Sequence, residues 1–173
     1  MLDWILVQDN IFSKEECDEI INEHKPNCVF DKQRKFYNCV DIDINDFKHY
    51  NKINNLTKAY VKEFNDVGNT SSIWSLTTLR FKHFEPGQSF ENWHSENCVL
   101  YPYRILGLQI YLSDHDCGTE FNAYKKTIKS VKGRATIFPA YFTHTHRGQV
   151  CPENKDRYII TGYYNFIKKG EGE

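Results

Sequence analysis

Three short stretches of the sequence carry side chains able to do chemistry. In Trp93-His94-Ser95-Glu96 an imidazole and a carboxylate sit two residues apart. In an extended segment His94 and Glu96 therefore point to the same face. Further on, Phe138-Pro139-Ala140-Tyr141-Phe142-Thr143-His144-Thr145-His146-Arg147-Gly148 ends one apolar strand at a proline and opens the next with two histidines on one face. Two histidines and one carboxylate, drawn from separate strands of a β-barrel, make the facial set that holds non-haem Fe(II) and leaves the opposite coordination face open. Only one of His144 and His146 fits the usual count. A mixed nitrogen and oxygen set suits iron better than a closed zinc site with four protein ligands. The bland reading of His94 and Glu96 is a solvated strand edge. The third stretch, Lys155-Asp156-Arg157-Tyr158-Ile159-Ile160-Thr161-Gly162-Tyr163, begins a long apolar strand with an arginine. Inside a barrel that charge is expensive unless a carboxylate meets it, and the planar guanidinium suits an acidic ligand. The competing reading pairs Arg157 with Asp156 or Glu153 at the strand mouth.

These residues need elements to position them. From Trp74 onward the texture is short, alternating, β-branched and aromatic, cut by polar turns. Strands are expected over Ile73 to Phe84, Ile105 to Leu112, Thr119 to Ala123, Thr127 to Val131, Arg134 to Phe138, Phe142 to Arg147 and Arg157 to Phe166. Upstream, Ser13 and Glu16 form a capping box before Cys17, Ile20 and Ile21, which predicts a helix of about ten residues ending near Pro26. A second helix is expected from Asp46 to about Asn65, stopped by Val67-Gly68-Asn69, and Phe30 to Ile44 carries no firm assignment. The order argues an α+β chain whose body is a jelly roll or small barrel. The reading is one domain over 1–173, with helical framing over 1–70, a jelly-roll core over 73–166 and a frayed tail over 167–173.

Composition narrows the function classes. The chain has 173 residues, 22 Lys and Arg against 23 Asp and Glu, and a formal net charge of −1. No global positive field exists to grip a phosphate backbone, so nucleic acid is not expected as a partner. The basic run Lys125, Lys126, Lys129, Lys132 and Arg134 is read as a solvated face. The apolar runs are too short to span a bilayer and no secretory leader is written at the start, so a cytoplasmic protein without a membrane partner is expected. The six cysteines, Cys17, Cys28, Cys39, Cys98, Cys117 and Cys151, contain no C-x-x-C pair and are expected as free thiols. His115, in a turn with Asp116 and Cys117, has no metal partners identifiable from sequence. Oligomeric state has no sequence signal.

In order along the chain, F-E-P-G-Q-S-F-E-N-W-H-S-E, R-I-L-G-L-Q-I-Y-L-S-D, G-T-E-F, K-G-R-A-T-I-F-P-A-Y-F-T-H-T-H-R-G and R-Y-I-I-T-G-Y resemble the 2-oxoglutarate- and Fe(II)-dependent dioxygenases. The likeness is to their prolyl 4-hydroxylase-like branch, including its compact phage and marine bacterial members, and runs from about Leu79 to Phe166. It implies a double-stranded β-helix (jelly-roll, cupin-like) with N-terminal helices packed on one sheet. It also implies Fe(II), 2-oxoglutarate as cosubstrate, and O2, with hydroxylation of a peptide, protein or small-molecule substrate as 2-oxoglutarate is decarboxylated to succinate and CO2. Carried over by residue, the resemblance makes His94 and Glu96 the first two metal ligands and His144 the distal one, with His146 as the close alternative or a neighbour of the cosubstrate. Arg157 and Tyr111 would hold the far carboxylate of 2-oxoglutarate, and Thr161 and Gln109 would wall the pocket. Glu96 stands where the family usually has Asp, and Cys117-Gly118 where glycine is often doubled. Two other readings keep the barrel: a structural or binding jelly roll, and a cupin-type metal oxygenase that does not use 2-oxoglutarate. Arg157 speaks against the first, and cosubstrate binding separates the second.

Overall fold

The computed structural model describes residues 2–33, 35–70 and 72–167. Along the chain run β1 (Leu6–Gln8), α1 (Lys14–His24), β2 (Val29–Phe30), β3 (Asn38–Ile42), α2 (Tyr50–Glu63), β4 (Trp74–Phe84), β5 (Arg104–Tyr111), β6 (Gly118–Phe121), β7 (Lys126–Lys129), β8 (Ala135–Pro139), β9 (His146–Gly148) and β10 (Arg157–Phe166). The capping box at α1 forms as the sequence predicts: Ser13 Oγ accepts from the Glu16 amide and the Glu16 carboxylate accepts from the Ser13 amide. Helix α2 begins four residues later than expected. Phe47 and His49 turn inward to pack on Phe12, with ring centroids 6.3 and 5.2 Å away, and that burial holds residues 46–49 as turns instead of a first helical turn.

Two antiparallel sheets make the body. The larger has the order β1-β8-β5-β10-β4-β3-β2 and the smaller β7-β6-β9. Alternation along the strands divides the larger sheet into two faces. Leu79 and Phe81 of β4, Leu106, Leu108 and Ile110 of β5, Ala135 and Ile137 of β8, and Ile160 and Tyr164 of β10 pack with Cys17 and Ile20 of α1 and Ile53, Leu56 and Tyr60 of α2. The opposite face carries Phe84, Tyr111, Phe138 and Ile159, which meet Phe121 and Ile128 of the smaller sheet. This is a jelly roll with the helices on the outer face of one sheet. Burying each large apolar side chain stabilises by roughly 1.5–3 kcal/mol, so both faces are fixed by packing and the register follows.

Strands β1, β2 and β3 were not separable by pattern: they are short, lie at or near the sheet edges, and lack clean alternation. The expected strand over Phe142 to Arg147 is split, because Phe142–His144 form a 3-10 turn and β9 starts at His146. The basic run is a solvated face tied down by acids: Lys126 meets Asp3, Lys129 meets Asp116, Lys132 meets Asp18 and Arg134 meets Asp9. Of the tail expected over 167–173, residues 168–173 lie outside the described residues, and the Ile167 amide donates to Ile73 O at 2.8 Å. The free-thiol expectation fails at one pair. Cys117 and Cys151 are joined as a disulfide closing a 34-residue separation, whereas Cys17, Cys28, Cys39 and Cys98 are free. No helix among the described residues is long and apolar enough to cross a membrane.

Candidate metal and cosubstrate site

The mouth between the sheets is built by a two-residue splice. His94 and His146 form an isolated antiparallel bridge, the His94 amide donating to His146 O at 3.0 Å and the His146 amide to His94 O at 2.9 Å. The Asn97 amide then donates to Ala140 O. The loop before His94 is clamped to β9, since Ser89 Oγ donates to the carbonyls of Gly148 and Gln149 and Phe90 O accepts from the Gly148 amide. These bonds carry His94 and Glu96 from a non-strand segment to the end of β9.

His94, Glu96 and His146 come together, with one ligand atom from each lying within 4.8 Å of the others. Nδ1–H of His94 donates to Asn92 O and Nδ1–H of His146 to His144 O, both at 2.9 Å. A carbonyl can only accept, so in each neutral ring the Nε2 lone pair is left facing inward. Those two nitrogens stand 3.7 and 3.4 Å from Glu96 Oε1. Three acceptors thus converge, and only a cation reconciles them: a proton on an imidazole, or a metal ion. Burial alone would raise the Glu96 carboxyl, but hydrogen bonding and charge from His146 and His94 hold it well below the ordinary carboxylate range. The carboxylate is therefore ionised at neutral pH.

Its other oxygen is held from outside. Arg104 Nη1 meets Glu96 Oε2 at 3.2 Å, and the Arg104 guanidinium lies between the rings of Tyr101 and Tyr163, 3.7 and 3.5 Å from their centroids. Glycine at position 107 makes room for the Phe138 ring beside Glu96. A Cβ there would stand 2.8 Å from the Phe138 ring and 3.5 Å from Glu96 Cγ.

Of the two histidines the sequence offers, the structure brings His146, the close alternative, and not His144, to His94 and Glu96. Among the described residues His144 joins no metal-like cluster. Its Nε2–H donates to Asp3 O at 2.8 Å, its Nδ1 is 2.9 Å from Thr143 Oγ1, and its ring lies on Tyr124. The 3-10 turn at Phe142–His144 rotates His144 toward the N-terminal segment, so His144 and His146 do not share a face as they would in one continuous strand.

Below the histidines a cavity of about 210 Å³ is lined by Gln109, Thr119, Arg157, Ile159, Thr161, Tyr163, Tyr37, Lys82, Phe84 and Phe90, among others. Thr161 and Gln109 are register partners on β10 and β5 and stand in the cavity wall. Arg157 lies at its floor, 5 % exposed, with its guanidinium 4.4 Å from the Phe84 ring. Nη1 donates to Gln149 O and Cys117 Sγ, Nε has no partner, and Arg157 forms no ion pair among the described residues. Burial pulls its pKa down to about 10, which leaves it cationic at pH 7. Neither mouth-of-strand pairing forms: Asp156 meets Lys25, His83 and Tyr158, and Glu153 meets the Asp116 amide and His115.

Tyr111 does not stand in the cavity wall. Its hydroxyl donates to Thr119 Oγ1 at 2.8 Å, with Ile128 O at 3.2 Å, and its burial is complete; it reaches the cavity only through Thr119, which also donates to Gln109 Oε1. Sequence reasoning missed Tyr37, Lys82 and Arg104. Lys82 had a readable signal, since it lies two residues before Phe84 on the inward face of β4 and opposite Ile159 of β10. Tyr37 had none, because the loop before β3 has no period.

No protein-family model matches the sequence, and a search of the curated proteins gives no significant match. Solved structures do match. The viral collagen prolyl hydroxylase of Paramecium bursaria Chlorella virus 1, in its 2OG complex, is 19% identical at a TM-score of 0.75, covering 95% of this chain and 97% of that one. A Pseudomonas putida prolyl-4-hydroxylase is 13% identical at 0.71, with 96% and 94% covered. A Trichoplax adhaerens prolyl hydroxylase, in complex with a hypoxia inducible factor oxygen degradation domain peptide fragment, is 14% identical at 0.66, with 94% and 84% covered. Over nearly its whole length, then, the chain has the fold of these viral, bacterial and animal prolyl hydroxylases.

Proposed function

We propose that the protein is a 2-oxoglutarate- and Fe(II)-dependent dioxygenase that hydroxylates a peptide residue, with proline the first residue to test. The observation that carries this reading is the pairing of three convergent acceptors, His94, Glu96 and His146, with a buried arginine that has no carboxylate partner among the described residues. Two imidazole nitrogens and one carboxylate oxygen fit Fe(II) and leave coordination positions for other ligands. When bound, Fe(II) with 2-oxoglutarate supplies O2 activation, the cosubstrate leaving as succinate and CO2 while the substrate gains a hydroxyl group.

The chain's own residues supply geometry and shelter. Arg157 offers donors to a distal carboxylate, and its desolvated site makes that charge-assisted bond strong. Thr161 and Gln109 add hydroxyl and amide contacts along the same wall. The Asn92 and His144 carbonyls fix the histidine tautomers, while Arg104 holds Glu96 so that one oxygen faces the histidines. Phe84, Phe90 and Ile159 exclude water. A peptide substrate is supported by the peptide complex of the Trichoplax neighbour and by apolar side chains exposed around the loop beside the site, Val99 at 93% and Leu100 at 71%.

The test needs no substrate. Fe(II) and then 2-oxoglutarate are added to the protein without oxygen, and the visible charge-transfer band of chelated cosubstrate is sought. A band lost in His94→Ala is expected. Bound iron without the band would favour a cupin-type oxygenase of another kind, and absence of iron binding would favour a structural barrel.

A further inference from the structure

On the far side of Arg157 lies a second convergence of donors. His115 sits in the β5–β6 turn with its side chain fully buried. Its Nε2–H donates to Asp156 O at 3.1 Å, which again leaves Nδ1 as the lone-pair nitrogen. Nδ1 is buried without a hydrogen-bond partner and faces Glu153 Oε2 at 3.6 Å, an oxygen that is likewise buried and unpartnered. Cys151 Sγ completes a group of three whose ligand atoms all lie within 4.8 Å of one another; Cys117 Sγ, bonded to Cys151 Sγ, stands beside that group and outside it. The frame is ordered: the His115 amide donates to Ser130 O, the Ser130 amide to Cys117 O, and the Asp116 amide to the other oxygen of Glu153.

Two acceptors aimed at each other in a buried site call for a cation between them, a proton on His115 or a metal ion. A disulfide beside them offers no cation. Two thiols there would, once deprotonated around a metal, complete a set of two sulfurs, one nitrogen and one oxygen. That set selects Zn(II) over the harder iron of the first site.

We propose that Cys117, Cys151, His115 and Glu153 form a redox-gated zinc site. A dithiol reductant, itself oxidised to a disulfide, transfers two electrons and two protons to the Cys117–Cys151 bond and leaves two thiols. Zn(II) then displaces both thiol protons to solvent and binds the two thiolates, His115 Nδ1 and Glu153 Oε2. In a reducing compartment the thiol form prevails, so zinc replaces the disulfide as the tie between β6 and the loop before β10. Arg157 Nη1, which donates to Cys117 Sγ at 3.4 Å, would then donate to a zinc-bound thiolate.

The test uses the full chain carrying His94→Ala, which disables the first site and makes the result independent of the proposed oxygenase activity. The protein is reduced with a phosphine and titrated with Co(II). We expect about one equivalent bound with thiolate-to-cobalt absorption and tetrahedral visible bands, bleached by Zn(II). The bands should be absent from the oxidised protein, lost in Cys151→Ser and retained in Cys98→Ser. Glu153→Gln, at a partly exposed loop position, gives a second reading: zinc affinity against a chromophoric chelator should fall about tenfold or more. Reduced protein without thiolate–cobalt absorption would overturn the proposal, as would bands that survive Cys151→Ser or unchanged zinc affinity in Glu153→Gln.

Discussion

The pocket around His146 and the clamp around His144 are two residues apart in the chain and use the same residue type, 4% and 2% exposed. They do different work. In the pocket a carbonyl takes Nδ1–H and Nε2 meets other acceptors; in the clamp a carbonyl takes Nε2–H and Nδ1 meets a hydroxyl that satisfies it. Burial does not separate a candidate ligand from a structural histidine here. What separates them is whether the second nitrogen finds a donor, and so whether the site calls for a cation.

The sharpest way to break this contrast is to remove each ring in turn. His146→Ala should abolish specific Fe(II) binding in anaerobic titration, while His144→Ala should retain it; the opposite order would return the distal position to His144. Next in size, Arg157→Ala should weaken 2-oxoglutarate by about ten- to a hundredfold, the range of a desolvated charge-assisted bond, with iron affinity unchanged. Calorimetric titration reads both. Arg104→Met, which keeps bulk between Tyr101 and Tyr163 but frees one Glu96 oxygen, should weaken iron about tenfold.

The clamp responds in stability. His144→Ala should destabilise by about 1–3 kcal/mol through the unpaired Asp3 carbonyl, seen as a lower Tm at equal iron stoichiometry. The smallest effect is in acid. Burial lowers the pKa of His144, as it does for His24 and His49. The unfolded chain therefore takes up protons first, near pH 6.5, and stability should fall as pH drops through and below that value. His144→Ala should flatten part of that slope in urea titrations at pH 7 and pH 5.

Much of this was legible in the residues. The capping box marked α1, and β-branched and aromatic runs cut by polar turns marked β4, β5 and β10. Alternation set Arg157, Ile159, Thr161 and Tyr163 on one wall. It failed where local turns override it. The 3-10 turn at Phe142–His144 breaks the period between the two histidines, and no propensity marks it strongly. Tyr111 was read into the cavity by resemblance, yet its hydroxyl is taken by Thr119, a contact between sheets that single-strand reasoning does not reach. The partners of His115 lie as far as 38 residues away, and only the docking of the loop before β10 onto β6 brings them together.

Strand β10 is the last strand along the described chain and sits at the centre of the larger sheet, between β5 and β4. Without it that sheet is two pieces, β1-β8-β5 and β4-β3-β2, with no ladder between them. During synthesis the two pieces cannot be joined until residues 157–166 have left the ribosome, so the nascent chain must carry two exposed sheet edges, on β4 and β5, from the emergence of β5 until β10 arrives. Such non-local closure is slow and exposed to aggregation. The same strand delivers Arg157, so the cavity acquires its charge only when the sheet closes.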